Sequence, residues 1–388
     1  MSIPYGKQDI NDEDIAAVIA VLQSDFLTQG PQVPLFEGAI KEAVNAQYAI
    51  AVNSATSALH IACLALGVGK GDLVWTTPIS FVASANCALY CGASVDFVDI
   101  DANTYNLSAQ HLQQKLEYAR VHGLALPKVV IPVHLSGQSC AMQKIHHLGQ
   151  EYGFSIIEDA SHAIGGHYQG NNIGACQFSD ITIFSFHPVK IITTAEGGVA
   201  TTNNASLAQK MTLLRSHGIT RDPSLMNHSS EDNCYYEQIC LGFNYRMTEM
   251  QAALGVSQMH RLQSFVSERN RLAIRYDRLL EALPVQLPQQ MAETYSSRHL
   301  YIIRLRLDKI SLTAKAVFLL LREKGIGVNL HYFPIHMQPY YQKLGFITGK
   351  LPEAELYYKN ALSLPLFHKM TLAEQDKVIE VLSEVLLS

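Results

Sequence analysis

The sequence predicts an α/β fold: a large, wound, mainly parallel sheet covered by helices, followed by a small α+β C-terminal domain. Three observations carry that expectation. From about residue 48 to residue 160, short apolar runs alternate with segments of helical periodicity. A long amphipathic stretch spans 247–283, and beyond it strand-like and helical segments mix. With 388 residues, 48% hydrophobic and 16% charged, the chain can bury two ordinary cores.

In order, "YAIAVN" reads as a strand, "SATSALHIACLALG" as a helix, "LVWTTP" as a strand and "FVASANCALYCG" as a helix. The alternation continues through strand "SVDFVDI", helix "SAQHLQQKLEYAR", strand "KVVIPVH", helix "AMQKIHHLGQEYG" and strand "FSIIEDA". Two β-branched runs, "DITIFSF" and "GVATTN", then flank a turn that carries Pro188, Lys190 and the pair Gly197-Gly198. The polar segment 218–240 is long for a connection, so it is expected to be mobile or functional. Residues 247–283 read as one long helix linking a large domain, 1–246 with its N-terminal segment 1–46, to a small one within 247–388. After "LPVQLP" the small domain is expected to contain strand "HLYIIRLR", helix "AKAVFLLLREKG", strand "GVNL" and terminal helix "EQDKVIEVLSEVLL".

Several classes of function are disfavoured by composition. The formal charge is −5 and the pI about 6.3, with no stripe of lysine and arginine, which argues against nucleic acid or an anionic membrane as partner. The N-terminus "MSIPYGKQDINDEDIAAV" has no basic start and no apolar core, so a cytoplasmic location is expected. Seven cysteines without a C-x-x-C read as reduced and structural. Sixteen histidines invite a metal hypothesis, but no H-E-x-x-H occurs and His331 and His336 in "HYFPIH" flank a proline turn, so no metal is expected.

In a wound sheet, ligands bind beyond the carboxyl ends of the strands, so the residues after each strand carry the information. Ser54, Thr56 and Ser57 follow the first strand at a helix start, which describes either a seat for phosphate or a plain helix cap. Asp159 ends "FSIIED", His162 follows three residues on, and Ser185 ends "ITIFS" five residues before Lys190. Phe81 supplies an aromatic wall. "LGVGKGD" lacks the G-x-G-x-x-G spacing of a dinucleotide site. Pyridoxal phosphate needs all four features: a lysine for its aldehyde, an acid for its ring nitrogen, donors for its phosphate and a wall for its ring.

The segments "DFLTQGPQVPLFE", "AVNSATSALHIACLALG", "DFVDIDANTYNLS", "VIPVHLSGQ", "IIEDASHAIGG", "SFHPVKIITTAEGGVATTN" and "LGFNYRMTEMQAALG" closely resemble the DegT/DnrJ/EryC1/StrS family of nucleotide-sugar aminotransferases, almost from end to end. The resemblance implies an aspartate aminotransferase-like fold, fold type I of the pyridoxal phosphate enzymes. It implies that Lys190 takes the cofactor aldehyde and that Asp159 partners its ring nitrogen. Ala55, Thr56 and Ser185 would hold the phosphate, Phe81 and His162 would face the cofactor, and Asn244 would reach the phosphate in the neighbouring subunit of a homodimer with shared sites. Arg246, His331 and Tyr332 are the candidates for gripping the substrate. "SDFLTQGP", "FSFHPVK", "RSHGITRDP" and "HYFPIHMQPYYQKLGF" look most like the branch of the family serving pseudaminic acid synthesis. That likeness implies amino transfer from L-glutamate to C4 of a UDP-linked 4-keto-6-deoxy-N-acetylhexosamine, for surface glycans or flagellin. Alternatives are another nucleotide-linked keto sugar, or a non-catalytic regulator that binds the same ligands. A sugar dehydratase of the same fold would resemble the family with histidine in place of the lysine, and Lys190 is present. Two departures stand out: His162 where most relatives have glutamine, and Ala195 where glycine is usual.

Overall fold

The structure, a computed structural model, describes residues 2–228 and 234–387. Its principal sheet has seven strands, ordered Tyr48–Val52, Gly198–Thr202, Ile181–Ser185, Ser155–Asp159, Val129–Ile131, Leu73–Thr76 and Ser94–Phe97. Gly198–Thr202 runs antiparallel to both neighbours, and the other six share one direction. All seven coincide with the expected apolar runs. Val129–Ile131 and Gly198–Thr202 are wholly buried, because helices cover both faces of the sheet and leave no solvent side on which polar residues could alternate.

Helices Ala55–Ala65, Ala83–Tyr90, Ala109–Val121 and Met142–Tyr152 follow their strands as expected. Ser54 begins the first of them by accepting from the Ser57 N–H. The reading of 247–283 as one helix is corrected: Glu249–Met259 and Leu262–Leu280 are separate. Arg261 leaves the helical region at φ −104°, ψ 1°, and its guanidinium reaches back to the Asp9 carbonyl at 3.1 Å and to Asp14 at 2.5 Å. Asp14 is buried and also accepts from Gln258 and Ser257, so its charge is satisfied by groups on both sides of the break. The first helix begins with a Thr248–Gln251 capping box. In the second, Leu262, Phe265, Val266, Leu272, Ala273, Tyr276 and Leu280 form a buried face at three- and four-residue spacing.

Beyond these helices, Val285–Gln286, Tyr301–Leu305 and Ala361–Leu364 form an antiparallel three-stranded sheet. Helices Ala314–Glu323 and Leu372–Leu387 contribute to the same core, which also takes in Ile3. The expected strand "GVNL" is not one. Its backbone makes single bridges, Asn329 to Ser363 and Ile326 just before it to Ile3, and the ladder position goes to Ala361–Leu364. Only Val328 of the four is buried, and Asn329 and Leu330 line the edge of a cavity instead of entering a ladder.

Candidate active site

The carboxyl ends of the parallel strands open onto one cavity of about 1030 Å3. Asn53, Ser54, Ala55 and Thr56 come from the end of Tyr48–Val52, and Ser80, Phe81 and Ser84 from beyond Leu73–Thr76. Asp159 and His162 come from the end of Ser155–Asp159, and Ser185 and Lys190 from that of Ile181–Ser185. The other side is closed by His299, Asn329, Leu330, His331 and Tyr332, with Tyr5 from the N-terminal segment.

Lys190 sits at the end of a tight turn, its N–H donating to the His187 carbonyl at 2.9 Å. Burial pulls its amine down from the usual 10.5 to about 8, while the charge of Asp159 pulls the other way. Asp159 is 4% exposed. One carboxylate oxygen accepts from Ser84 Oγ at 2.6 Å and the other from the Ser161 N–H at 3.1 Å. Strand alternation turns its neighbour Glu158 to the opposite face, where His134, Ser179 and Thr182 engage it. Asp159, rather than Glu158, is therefore the acid that faces the cavity.

At the helix start, Ser54 takes the Ser57 N–H at 3.1 Å, and the amides of Ala55 and Thr56 lie in the first turn without intrahelical acceptors. Gly198 pairs with both Val52 and Ser185. A Cβ there would lie 2.5 Å from the Ala55 nitrogen, so glycine is required for the strand to abut this turn. Ala195, the other departure, has φ +63°, a left-handed conformation that suits the glycine usual at that position.

His162, His299 and His331 share the cavity with Lys190. His162 Nδ1 accepts from the Ser136 N–H at 3.3 Å, and Nε2 lies 3.1 Å from Tyr332 Oη. Burial, then the charges of Lys190 and His331, hold His162 well below the ordinary imidazole range. His299, with its ring centre 4.4 Å from that of His162, is depressed for the same main reason. Burial and then Lys190 take His331 to about 3, and its Nδ1 pairs with Ser363 Oγ at 2.8 Å. His336 lies elsewhere, against Glu355 in a separate cavity of about 730 Å3. Phe81 is 60% exposed at the cavity rim, its ring centre 6.4 Å from that of Tyr332.

The structure thus brings together Ala55, Thr56, Phe81, Asp159, His162, Ser185, Lys190, His331 and Tyr332. Asn244 and Arg246 are not among the cavity residues of this chain. Asn244 is exposed and bridges Ser216, and Arg246 donates to Ser216 Oγ at 3.0 Å. No described residue of 218–240 lines the cavity; 229–233 lie outside the described residues. Sequence reasoning missed Ser84, His299 and Asn329. Ser84 had a signal, lying one turn after Phe81 in the helix expected from "FVASANCALYCG", although that helix begins only at Ala83. His299 had none, because it precedes a strand in the second sheet, where the strand-end rule does not look. Among the described residues, no group of three or more His, Cys, Asp or Glu side chains could hold a metal ion, and no helix is long and apolar enough to cross a membrane.

The donor set fits pyridoxal phosphate. A buried amine of lowered basicity, a buried carboxylate facing the same space and a helix start with two free amides offer partners for an aldehyde, a ring nitrogen and a phosphate. The contact at Gly198 keeps side chains out of the turn at that helix start.

Comparison with known proteins agrees. The family model of DegT/DnrJ/EryC1/StrS aminotransferases matches residues 8–383. The chain is 36% identical over 386 residues to the spore coat polysaccharide biosynthesis protein SpsC of Bacillus subtilis, covering 99% of this chain and 97% of that protein. Among solved structures it is similar to Helicobacter pylori PseC, an aminotransferase involved in the biosynthesis of pseudoaminic acid, with TM-score 0.90, 32% identity and full coverage of both chains. It is also similar to the Streptococcus pneumoniae protein Spr1654 in its PLP form, with TM-score 0.88, 28% identity and coverage of 99% and 98%. With fold, strand-end chemistry and end-to-end similarity in agreement, the chain belongs to the DegT/DnrJ/EryC1/StrS family of pyridoxal phosphate-dependent sugar aminotransferases.

Proposed function

We propose that this enzyme moves the amino group of L-glutamate onto C4 of a UDP-linked 4-keto-6-deoxy-N-acetylhexosamine, a step of pseudaminic acid biosynthesis serving surface glycans or flagellin. The observation that carries the reading is the full-length likeness to Helicobacter pylori PseC. A second reading, amination of another keto sugar for a surface polysaccharide, is favoured by the comparable identity to the spore coat protein.

Pyridoxal phosphate, when bound, supplies an electron sink for the carbon that loses or gains the amino group. The residues do the rest. Asp159, fixed by Ser84 and the Ser161 amide, would partner the ring nitrogen and keep it protonated. Ala55, Thr56 and Ser185 would hold the phosphate. Lys190, whose amine burial lowers to about 8, gives up its proton far more readily than a free lysine and would serve as nucleophile and then as base. Phe81 and His162 would flank the cofactor, and His331 and Tyr332 would contact the sugar. Asn244 and Arg246, which do not line this chain's own cavity, would complete the site of a partner subunit in a cytoplasmic homodimer. We read 1–246 as a large domain and 247–388 as a small one, and residues from both ranges line the cavity. Purified enzyme given L-glutamate and a panel of UDP-keto sugars tests the assignment. Amination of the 4-keto-6-deoxy-N-acetyl sugar, with the product's configuration determined, is expected; turnover only of other keto sugars would overturn it.

A further inference from the structure

His162 has two ring nitrogens with partners of opposite kind. A backbone amide can only donate, so the Ser136 N–H at 3.3 Å fixes Nδ1 as the bare nitrogen. The one proton of the neutral ring is then on Nε2, 3.1 Å from Tyr332 Oη. Ser136 is held at φ 61°, ψ 1°; in the peptide that carries its N–H the Leu135 carbonyl accepts the Gln138 N–H at 3.2 Å, and in the next the Ser136 carbonyl accepts the His299 N–H at 2.9 Å, so the group that sets the tautomer is anchored on both sides. Tyr332 Oη therefore accepts from His162, and its own hydrogen must point away. His162 is its one hydrogen-bond partner among the described residues, and Tyr332 lines the cavity with Lys190.

We infer that His162 is a positioning residue that makes Tyr332 a hydrogen-bond donor into the cavity, directed at an oxygen of the molecules bound beside Lys190. The inference rests on the aminotransferase reading for its consequence and on this hydrogen-bond chain alone for its cause. The acceptor is an oxygen of the sugar or of the cofactor ring. A donor in this place selects a ligand that presents an oxygen and disfavours one that presents an N–H there.

Nitrogen-15 NMR of the cofactor-free protein labelled at histidine tests the cause without any substrate. The Nε2–H tautomer of His162 is expected, and an Nδ1–H tautomer or a charged ring would overturn the proposal. In the loaded enzyme, Tyr332→Phe and His162→Leu should cost the same step, roughly three- to tenfold for one hydrogen bond, with no further loss in the double variant. His162→Gln should restore it, because an amide both accepts from Ser136 and donates to Tyr332. A loss confined to KM for the sugar identifies the sugar as acceptor, while weaker cofactor binding and an altered near-visible spectrum before substrate is added identify the ring. Additive losses, or no rescue by glutamine in a variant shown to be folded, would refute the positioning role.

Discussion

Replacing Lys190 by methionine should stabilise the cofactor-free protein while abolishing its activity. Burial lowers the lysine from 10.5 to about 8, so folding at pH 7 forces a charged amine into a site that prefers it neutral. A shift of about 2.5 units corresponds to roughly 3 kcal/mol, in which the attraction of Asp159 is already included. Methionine has similar length and no charge, so Lys190→Met should raise the unfolding free energy by about that amount at pH 7. The sign follows from proton counting. Between about pH 8 and 10.5 the unfolded chain holds the lysine proton more tightly than the folded one, so wild-type stability rises with pH relative to the variant. The difference should be full below pH 8 and vanish as pH passes 10.5. Urea unfolding of both proteins at pH 7, 9 and 10.5, without cofactor, measures it. Equal stability at pH 7, or a gap that does not shrink with pH, would refute the claim that the amine is held against its charge.

Three further outcomes are expected. Asp159→Asn keeps the shape and removes the negative charge proposed to partner the ring nitrogen, and kcat should fall at least a hundredfold, about 3 kcal/mol; near-normal turnover would make the acid structural. Gly198→Ala places a methyl 2.5 Å from the Ala55 nitrogen, so the strand or the helix start must shift. Its cofactor affinity, read by spectral titration, should drop at least roughly tenfold, as expected where a helix start loses close contact with an anion; unchanged affinity would place the phosphate elsewhere. Finally, Lys190→Ala and Asn244→Asp should each be inactive or nearly so, yet co-expressed they should recover about a quarter of wild-type activity, because half the dimers are hybrids and half of their sites are intact. No recovery, with hybrid formation confirmed, would show that Asn244 does not act across the interface.

How much of the site was legible varied with how local its cause is. Asp159, Ser185 and Lys190 were readable because each sits at or just beyond a strand whose apolar run is unmistakable. Ser54 and Thr56 were readable because a cap is set within four residues. The pairing of His162 with Tyr332, 170 residues apart, was not, since it depends on how the loop at 331–332 meets the turn after Asp159. Nor was the helix break at Arg261: the apolar periodicity continues through it, and the cause is a carboxylate more than 240 residues earlier.

By itself the sequence determined the seven strands, their covering helices and the place on them where chemistry collects, because strand burial and helical periodicity are written in consecutive residues. Only the tertiary structure decided which polar groups meet. It chose Asp159 over Glu158 for the cavity, lowered Lys190 by excluding water around it, set the tautomer of His162 through Ser136, and gave Gly198 its purpose against Ala55. Those are properties of distance and solvent exclusion between segments far apart in the chain, and no local pattern of residue types encodes them.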